Sequence, residues 1–327
     1  MMRKEDLKIV FFGTPEFAVE SLKQLVDGGY NVAAVVTMPD KPAGRGRQLQ
    51  QSDVKRFAVE RGLPVLQPAS LKDEAFIEEL RAIEAKLFIV IAFRMLPEAV
   101  WQMPPLGTFN LHASLLPRYR GAAPINWAVM NGDTETGVTT FFLKHEIDTG
   151  DVIQQRSCPI GRHDNVETVY DRLMTMGADM VLETVDSIIA GTVKPIPQAQ
   201  MLTAGQEPTP APKIFKDTCR IDWSRPAEAL YNHIRGLSPY PAAWTMMKDE
   251  TGNDITTLKL FETSEPIPFS SGEIPKPGTL VADRKTLRIA CGDGWLEVLS
   301  LQQSGKKRMD TDAFLRGFII APGTYCG

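Results

Sequence analysis

LFIVIAF, residues 87–93 of a 327-residue chain, is a run of seven consecutive apolar residues. A strand that is covered on both faces has no polar side, so a continuous apolar run of this length is typical of the centre of a parallel sheet. Shorter apolar runs at 8–12, 31–37 and 108–112 alternate with amphipathic segments. This alternation predicts an α/β domain with a parallel sheet covered by helices.

The second part of the chain has a different pattern. A proline-rich segment at 206–213 predicts a semi-rigid linker. Beyond it, short β-like runs separated by turn residues predict a small β-barrel; they lie at 256–261, 278–281, 287–290 and 295–301. We therefore predict two domains, 1–205 and 214–327.

Two helix starts are predicted from capping residues. Thr14, followed by Pro15, is expected to cap a helix that reaches about Asp27. Ser224 is expected to cap a helix over 226–236.

Composition limits the partners that this chain can have. With 43% hydrophobic and 23% charged residues, it is typical of a globular protein, and its net charge of −4 argues against indiscriminate nucleic-acid binding. Any RNA contact must then come from local basic patches.

No apolar run reaches about 18 residues, so no membrane span is expected. The four cysteines lack a Cys-x-x-Cys spacing and predict reduced thiols in a cytoplasmic protein, for which a monomer is the default.

Three polar residues suggest catalytic chemistry. Asn110 and His112 lie two positions apart on a predicted strand, so both side chains point to the same face. Asp148 follows within a loop. An amide can donate to a developing oxyanion, an imidazole can move a proton, and a carboxylate can fix the state of that imidazole. Against this, a strand histidine is more often structural, and Asp-Thr-Gly-Asp is also a good turn sequence.

Specific motifs resolve this ambiguity. The segments NLHASLLP at 110–117, RGAAP at 120–124 and DTGD at 148–151 resemble the signature of folate-dependent formyltransferases. Within that superfamily, MPDKPAGRGR at 38–47 resembles the acceptor-stem loop of the methionyl-tRNA formyltransferase family. The resemblance covers nearly the whole chain, and it implies a Rossmann-like catalytic domain followed by an OB-like β-barrel.

The resemblance also implies substrates and site residues. The formyl donor would be 10-formyltetrahydrofolate, the acceptor would be an initiator methionyl-tRNA, and no metal would be needed. Asn110 and a protonated His112 would stabilise the oxyanion, while Asp148 would keep His112 cationic and assist proton transfer. The residues expected to bind folate are Phe93, Arg94, Met95, Leu96, Ser114, Leu115, Leu116, Pro117, His145, Glu146 and Ile147. Those expected to contact tRNA are Lys41, Arg45, Arg47, Lys306, Lys307 and Arg308.

One position departs from the family pattern. Many relatives have Tyr-Gly where this chain has Phe93-Arg94, which changes the expected wall of the folate pocket.

Other functions fit the sequence less well. A formyltransferase that acts on a small amine, such as an amino-sugar nucleotide, or a hydrolase of formyl-folate would share the catalytic residues but would have no use for the basic loop. A non-catalytic RNA-binding or folate-sensing protein would gain nothing from three polar catalytic positions. A dehydrogenase is disfavoured because the lone Gly13 lacks the Gly-x-Gly-x-x-Gly spacing that binds a pyrophosphate.

Overall fold

The computed structural model describes residues 3–43, 48–202, 207–270, 272 and 274–327. By contacts, the chain divides into two compact units. The first contains Met1–Gly121, Thr136–Pro159 and Tyr170–Ala211, and the second contains Ala122–Glu135, Ile160–Val169 and Pro212–Gly327. The chain therefore passes between the units more than once, and the domain boundaries at 206–213 remain a prediction.

The first part of the chain contains eleven strands and six helices in its described ranges. The strands are β1 (Ile9–Gly13), β2 (Val32–Val36), β3 (Lys41–Ala43), β4 (Gln48–Gln50), β5 (Val65–Leu66), β6 (Leu87–Ile91), β7 (Thr108–His112), β8 (Arg120–Gly121), β9 (Glu135–Phe142), β10 (Val152–Pro159) and β11 (Pro210–Ala211). The helices are α1 (Glu16–Asp27), α2 (Asp53–Glu60), α3 (Glu74–Ala82), α4 (Glu98–Trp101), α5 (Pro124–Met130) and α6 (Val166–Ala190).

Seven of these strands form one sheet in the order β10-β9-β7-β6-β1-β2-β5. The pairs from β5 to β7 are parallel, whereas β9 runs antiparallel to β7. Every residue of β6 is buried, which confirms the prediction made from residues 87–93. The carboxyl ends of β6 and β7 therefore lie side by side, which is where open parallel sheets bind their ligands.

The second unit is built around an antiparallel sheet. It includes α5, and from Pro212 onward its α-helices and strands are α7 (Ala227–Leu237), β12 (Ala243–Lys248), β13 (Asp254–Thr263), β14 (Ile267–Pro268), β15 (Leu280–Ala282), β16 (Leu287–Ala290), β17 (Gly294–Gln303), β18 (Met309–Asp310), α8 (Thr311–Gly317) and β19 (Tyr325–Cys326). The main sheet runs β15-β16-β17-β13-β12-β19. A bridge between Thr279 and Tyr325 joins its two ends, so the sheet closes on itself around an apolar core.

Both predicted helix caps are wrong. Helix α1 begins at Glu16 after Pro15, and the hydroxyl of Thr14 is buried without a hydrogen-bond partner among the described residues. At α7 the hydroxyl of Ser224 donates to Asp222 instead, at 2.6 Å. The free N–H of Ala227 is satisfied by Oδ1 of Asp293, at 2.7 Å, from a distant part of the chain.

The Pro39–Arg47 region was predicted as a long loop, but Lys41–Ala43 within it form one strand of a short hairpin. Strand β3 pairs with β4 in antiparallel register, from Lys41 opposite Gln50 to Ala43 opposite Gln48.

Among the described residues, no helix is long and apolar enough to cross a membrane.

Candidate active site

Strand β7 brings the first two candidate residues together. Asn110 and His112 alternate with buried Phe109 and Leu111, so the two polar side chains share one face, as predicted. In the neighbouring strand β6, the chain leaves the sheet at Ala92 with a φ of 47°. A left-handed backbone is uncommon for a residue with a side chain, and such strain concentrates at functional sites.

His112 is buried, and its two ring nitrogens have different partners. Nε2 lies 2.8 Å from the backbone oxygen of Tyr119, a residue with a φ of 60°. Because a carbonyl only accepts hydrogen bonds, Nε2 must carry a proton. Nδ1 points towards Asp148, whose Oδ2 is 3.8 Å away. Nδ1 is therefore the nitrogen that remains available for proton transfer.

Asp148 is held in an unusual turn after β9. Its φ of 53° is left-handed, a conformation that aspartate tolerates better than most residues. Oδ2 accepts a hydrogen bond from the N–H of Gly121 at 2.9 Å. A Cβ on Gly150 would overlap with the carbonyl oxygen of Phe142, so this turn can close only with glycine at that position. The turn sequence thus places a carboxylate beside His112.

Asn110 is half-buried and free to bind a ligand. Within the described part of the chain, its side-chain amide makes no hydrogen bond to another protein group. A half-buried donor with no protein partner is suited to a ligand oxygen. Together with Nδ1 of His112, it gives this edge of the sheet the groups required to stabilise an oxyanion and move a proton.

The loop after β7 is fixed by a polar network. The buried hydroxyl of Ser114 donates to the carbonyl of Arg118 at 2.6 Å, so it is not activated as a nucleophile. Thr139 donates to the carbonyl of Ser114 at 2.6 Å and accepts from the N–H of Leu116 at 3.2 Å. Gln155 donates to the carbonyl of Leu116 at 2.6 Å. These bonds define the backbone of the predicted folate loop, in which Leu115 is half-buried and Pro117 buried.

The residues after β6 are divided between core and surface. Leu96 is buried in the core, and Phe93 packs edge-on against Phe12 with ring centroids 5.7 Å apart. Met95 is 66% exposed. Arg94 donates to the carbonyls of Pro68 and Ala69, at 2.6 and 3.0 Å, and burial lowers its pKa. The arginine that departs from the family pattern therefore anchors a neighbouring loop.

The remaining folate candidates lie on the loop before Asp148. His145, Glu146 and Ile147 are all exposed, and Ile147 has 57% of its surface accessible. An exposed isoleucine next to the Asp148 turn is available for an apolar ligand surface.

The candidate tRNA contacts lie at two places on the surface. Lys41 is exposed on β3, while Arg45 and Arg47 lie outside the described residues. Lys306 and Lys307 are exposed on the turn after β17. Arg308 is more constrained, because its guanidinium lies over the Phe261 ring at 4.5 Å and its Nε donates to Ser300 at 2.9 Å.

Several supporting residues were not identified from the sequence. Tyr119 orients His112, Thr139 and Gln155 fix the loop after β7, and the buried Gln198 contacts the Asp148 turn. No spacing connects them, since Gln198 lies 50 residues beyond Asp148. Of these residues, only Tyr119 could have been identified from the sequence, because it directly precedes the Arg120-Gly121 motif.

Two known family models match this chain. The family model described as formyl transferase matches residues 7–185, and the model of the formyl transferase C-terminal domain matches residues 213–319.

Solved structures with the same fold include formyltransferases. An N-formyltransferase from Helicobacter canadensis, solved with folinic acid and dTDP-3-aminofucose, superposes with a TM-score of 0.64 at 19% identity, over 91% of this chain and 99% of that one. The sugar 3N-formyl transferase WlaRD, solved with dTDP and 5-N-formyl-THF, superposes with a TM-score of 0.62 at 19% identity, over 92% and 99%. At this identity the likeness concerns the fold alone.

Curated relatives are much more similar in sequence. The methionyl-tRNA formyltransferase of Bacteroides thetaiotaomicron is 61% identical over 323 residues, which is 98% of this chain and 99% of that protein. The methionyl-tRNA formyltransferase of Porphyromonas gingivalis is 51% identical over 326 residues, 99% of each. With both of its parts matched and full-length identity of this order, the chain belongs to the methionyl-tRNA formyltransferase family.

Proposed function

We propose that this enzyme transfers the formyl group of 10-formyltetrahydrofolate to the α-amine of initiator methionyl-tRNA, and that Asn110, His112 and Asp148 carry out the step. The observation that carries the proposal is the arrangement of His112. Its Nε2 is committed to the Tyr119 carbonyl, and its Nδ1 faces a carboxylate at 3.8 Å. This is a proton-transfer pair at the ligand-binding edge of a parallel sheet.

The chemistry begins with attack of the amine nitrogen on the formyl carbon. A C–N bond forms, and the formyl oxygen becomes an oxyanion. The unpaired Asn110 amide would donate one hydrogen bond to this oxygen, and His112 would donate a second when Nδ1 is protonated. Donors of this kind are typically worth about 3 kcal/mol each. Asp148 is placed to balance the positive charge of the doubly protonated ring.

Collapse of the intermediate breaks the bond between the formyl carbon and the folate nitrogen. The attacking amine must lose a proton, and the leaving nitrogen must gain one. Because Nδ1 of His112 is already protonated when it donates to the oxyanion, the Asp148 carboxylate would accept the amine proton, and Nδ1 would give its own proton to the leaving nitrogen. A proton that then passes from Asp148 to Nδ1, through water where the distance requires it, would restore both groups. No covalent bond to the enzyme is needed, since the Ser114 hydroxyl already donates to a carbonyl.

The folate ring would bind between the loops that follow β6, β7 and β9. Met95 and Ile147 are apolar side chains left largely in water, and the loop between Ser114 and Pro117 has a fixed backbone. An apolar wall with ordered backbone groups suits a flat heteroaromatic ring with a polar edge. Arg94 would contribute indirectly, because it holds the loop at Pro68 and Ala69.

The tRNA would be recognised through local basic groups. Lys41, with Arg45 and Arg47, would contact the acceptor end, while Lys306, Lys307 and Arg308 would contact backbone phosphates. Phosphate contacts position a nucleic acid and do not by themselves read its sequence. Discrimination between tRNAs is therefore assigned to the Pro39–Arg47 region.

The test mixes purified protein with 10-formyltetrahydrofolate and either initiator or elongator methionyl-tRNA, and follows N-formylmethionine by mass. Faster formylation of the initiator supports the proposed donor and acceptor. Identical kinetics on both tRNAs would remove the selective role of the basic region. If neither tRNA is formylated and folate is consumed only with an amino-sugar nucleotide, the small-amine activity replaces this proposal.

A further inference from the structure

Gln198 is a polar residue with an unexpected location. It begins a 3₁₀ turn, Gln198–Gln200, between α6 and β11, where its neighbours Ala199 and Gln200 are exposed. Its own side chain is only 2% exposed. Burying an amide is costly unless its hydrogen-bonding groups find partners, so the surroundings of Gln198 must supply them.

All hydrogen-bonding capacity of the Gln198 amide is used. Nε2 donates to the carbonyls of Asp148 and Gly150, at 2.8 and 2.9 Å. Oε1 accepts from Nε and Nη2 of Arg120, at 3.0 and 2.7 Å. A primary amide has two donors and two lone pairs, so it is saturated. Its orientation is also defined, since carbonyls only accept and a guanidinium only donates.

These bonds hold the Asp148 turn from two directions. Gln198 fixes the backbone of the left-handed residue, while the N–H of Gly121 fixes its carboxylate at 2.9 Å. Gly121 follows Arg120 directly, so one guanidinium–amide pair connects both supports. A backbone bridge between Ile196 and Val152 fastens the Gln198 segment to the same region.

We infer that Gln198, held by Arg120, is a positioning residue that sets the Asp148 carboxylate against Nδ1 of His112. This inference rests on the proposed catalytic role of Asp148. Gln198 touches no reacting atom; it acts by keeping a left-handed turn in one conformation. A catalytic group that is displaced by about 1 Å can lose about 100-fold in rate, so such support has measurable consequences.

The decisive substitution is Gln198→Glu. A carboxylate preserves the pairing with Arg120 but places an oxygen against two carbonyl oxygens. This breaks the hydrogen bonds to the Asp148 turn without leaving a cavity where the side chain lies. We expect kcat to fall 10- to 100-fold, with KM for folate and for methionyl-tRNA changed less than threefold. The matched control is Gln200→Glu, which makes the same charge change in the same turn at an exposed position and should leave kcat unchanged.

A double-mutant cycle separates positioning from general destabilisation. Gln198→Glu is compared in the wild-type and in the Asp148→Asn background, with melting temperatures recorded for all four proteins. If Gln198 acts through the Asp148 carboxylate, its substitution costs less than threefold once Asp148 is replaced. The same 10- to 100-fold loss in both backgrounds would show a merely structural role and overturn the inference.

The design also distinguishes this inference from the proposed function. If Asp148→Asn keeps full turnover, the catalytic role of Asp148 fails, and the inference fails with it. If Asp148→Asn is impaired while Gln198→Glu turns over like the wild type, only the inference is overturned.

Discussion

His112 in the catalytic unit and His233 in the β-barrel unit are equally buried, each with 7% exposure, but their surroundings differ. His112 has a carbonyl on one nitrogen and a carboxylate 3.8 Å from the other. His233 bonds to the backbone of Cys219, and its Nε2 has no hydrogen-bond partner among the described residues. Burial, with a smaller contribution from Arg225, lowers the pKa of His233 to about 4. Burial therefore favours the neutral form of His233, whereas His112 has a carboxylate facing its second ring nitrogen, as the proposed proton transfer requires.

The largest expected effect comes from making the same substitution, histidine to glutamine, at His112 and at His233. His112→Gln should lower kcat by about 10²- to 10⁴-fold, the usual contribution of a positioned acid–base group. His233→Gln, which keeps an N–H for the Cys219 carbonyl, should leave kcat within twofold. Single-turnover formylation of methionyl-tRNA measures both. Full turnover by the His112 variant would show that this buried histidine is as structural as the other.

The pH dependence of stability should depend on His233. Its pKa of about 4 in the folded protein lies below the value of about 6.5 for an unfolded imidazole, so the unfolded chain binds more protons between these pH values. Stability is then greatest above pH 6.5 and is lost as the pH falls towards 4, by about 3 kcal/mol for this group.

Urea unfolding of the wild type and of His233→Gln between pH 4.5 and 7.5 measures this contribution. The wild type should lose more stability than the variant as the pH falls. Parallel curves would mean that folding does not lower the pKa of His233, and that burial alone does not keep this histidine neutral.

The sequence predicted the parts of this site that depend on local patterns. The apolar run at 87–93 predicted the central strand β6, and the alternation around His112 predicted both β7 and the shared face with Asn110. These predictions hold because a strand's periodicity is a property of consecutive residues. The role of Asp148, by contrast, came from family resemblance, since its turn sequence alone fits many loops.

The parts that were missed depend on contacts between distant residues. Ser224 was predicted to cap α7, but its hydroxyl bonds to Asp222. The N–H of Ala227 donates instead to Asp293, which lies 66 residues further along the chain. Gln198 was missed for the same reason, since its partners lie 48 to 78 residues away. Strand β10 was also missed, because half-buried residues give it no clear alternation. No local pattern records which loop a polar side chain will reach after folding.

Arg94 offers a finer test of how the catalytic unit supports its site. Arg94→Lys keeps the charge but not the pair of bonds to the Pro68 and Ala69 carbonyls, so we expect a loss of about 1 to 3 kcal/mol in unfolding free energy. KM for 10-formyltetrahydrofolate should rise about three- to tenfold as the loop loosens. The control Arg81→Lys changes an exposed arginine whose ion-pair partner in the described part of the chain is Glu78 of its own helix, and should change neither quantity. An unchanged KM in Arg94→Lys would separate this loop from the folate site.

The smallest effect on activity is expected from substitutions in the second unit. There we expect a change in tRNA binding, whereas substitutions in the first unit are expected to change the rate of the chemical step. Removing Lys306 and Lys307 together, by substitution with alanine, should raise KM for methionyl-tRNA about two- to fivefold and leave kcat unchanged. Each lost phosphate contact should also lower the slope of log KM against log salt by about 1. Lys285→Ala, at another exposed lysine of the same unit, controls for the loss of positive charge. The salt slope decides the outcome, because a higher KM with the slope unchanged would reflect altered folding of the turn and not the loss of phosphate contacts.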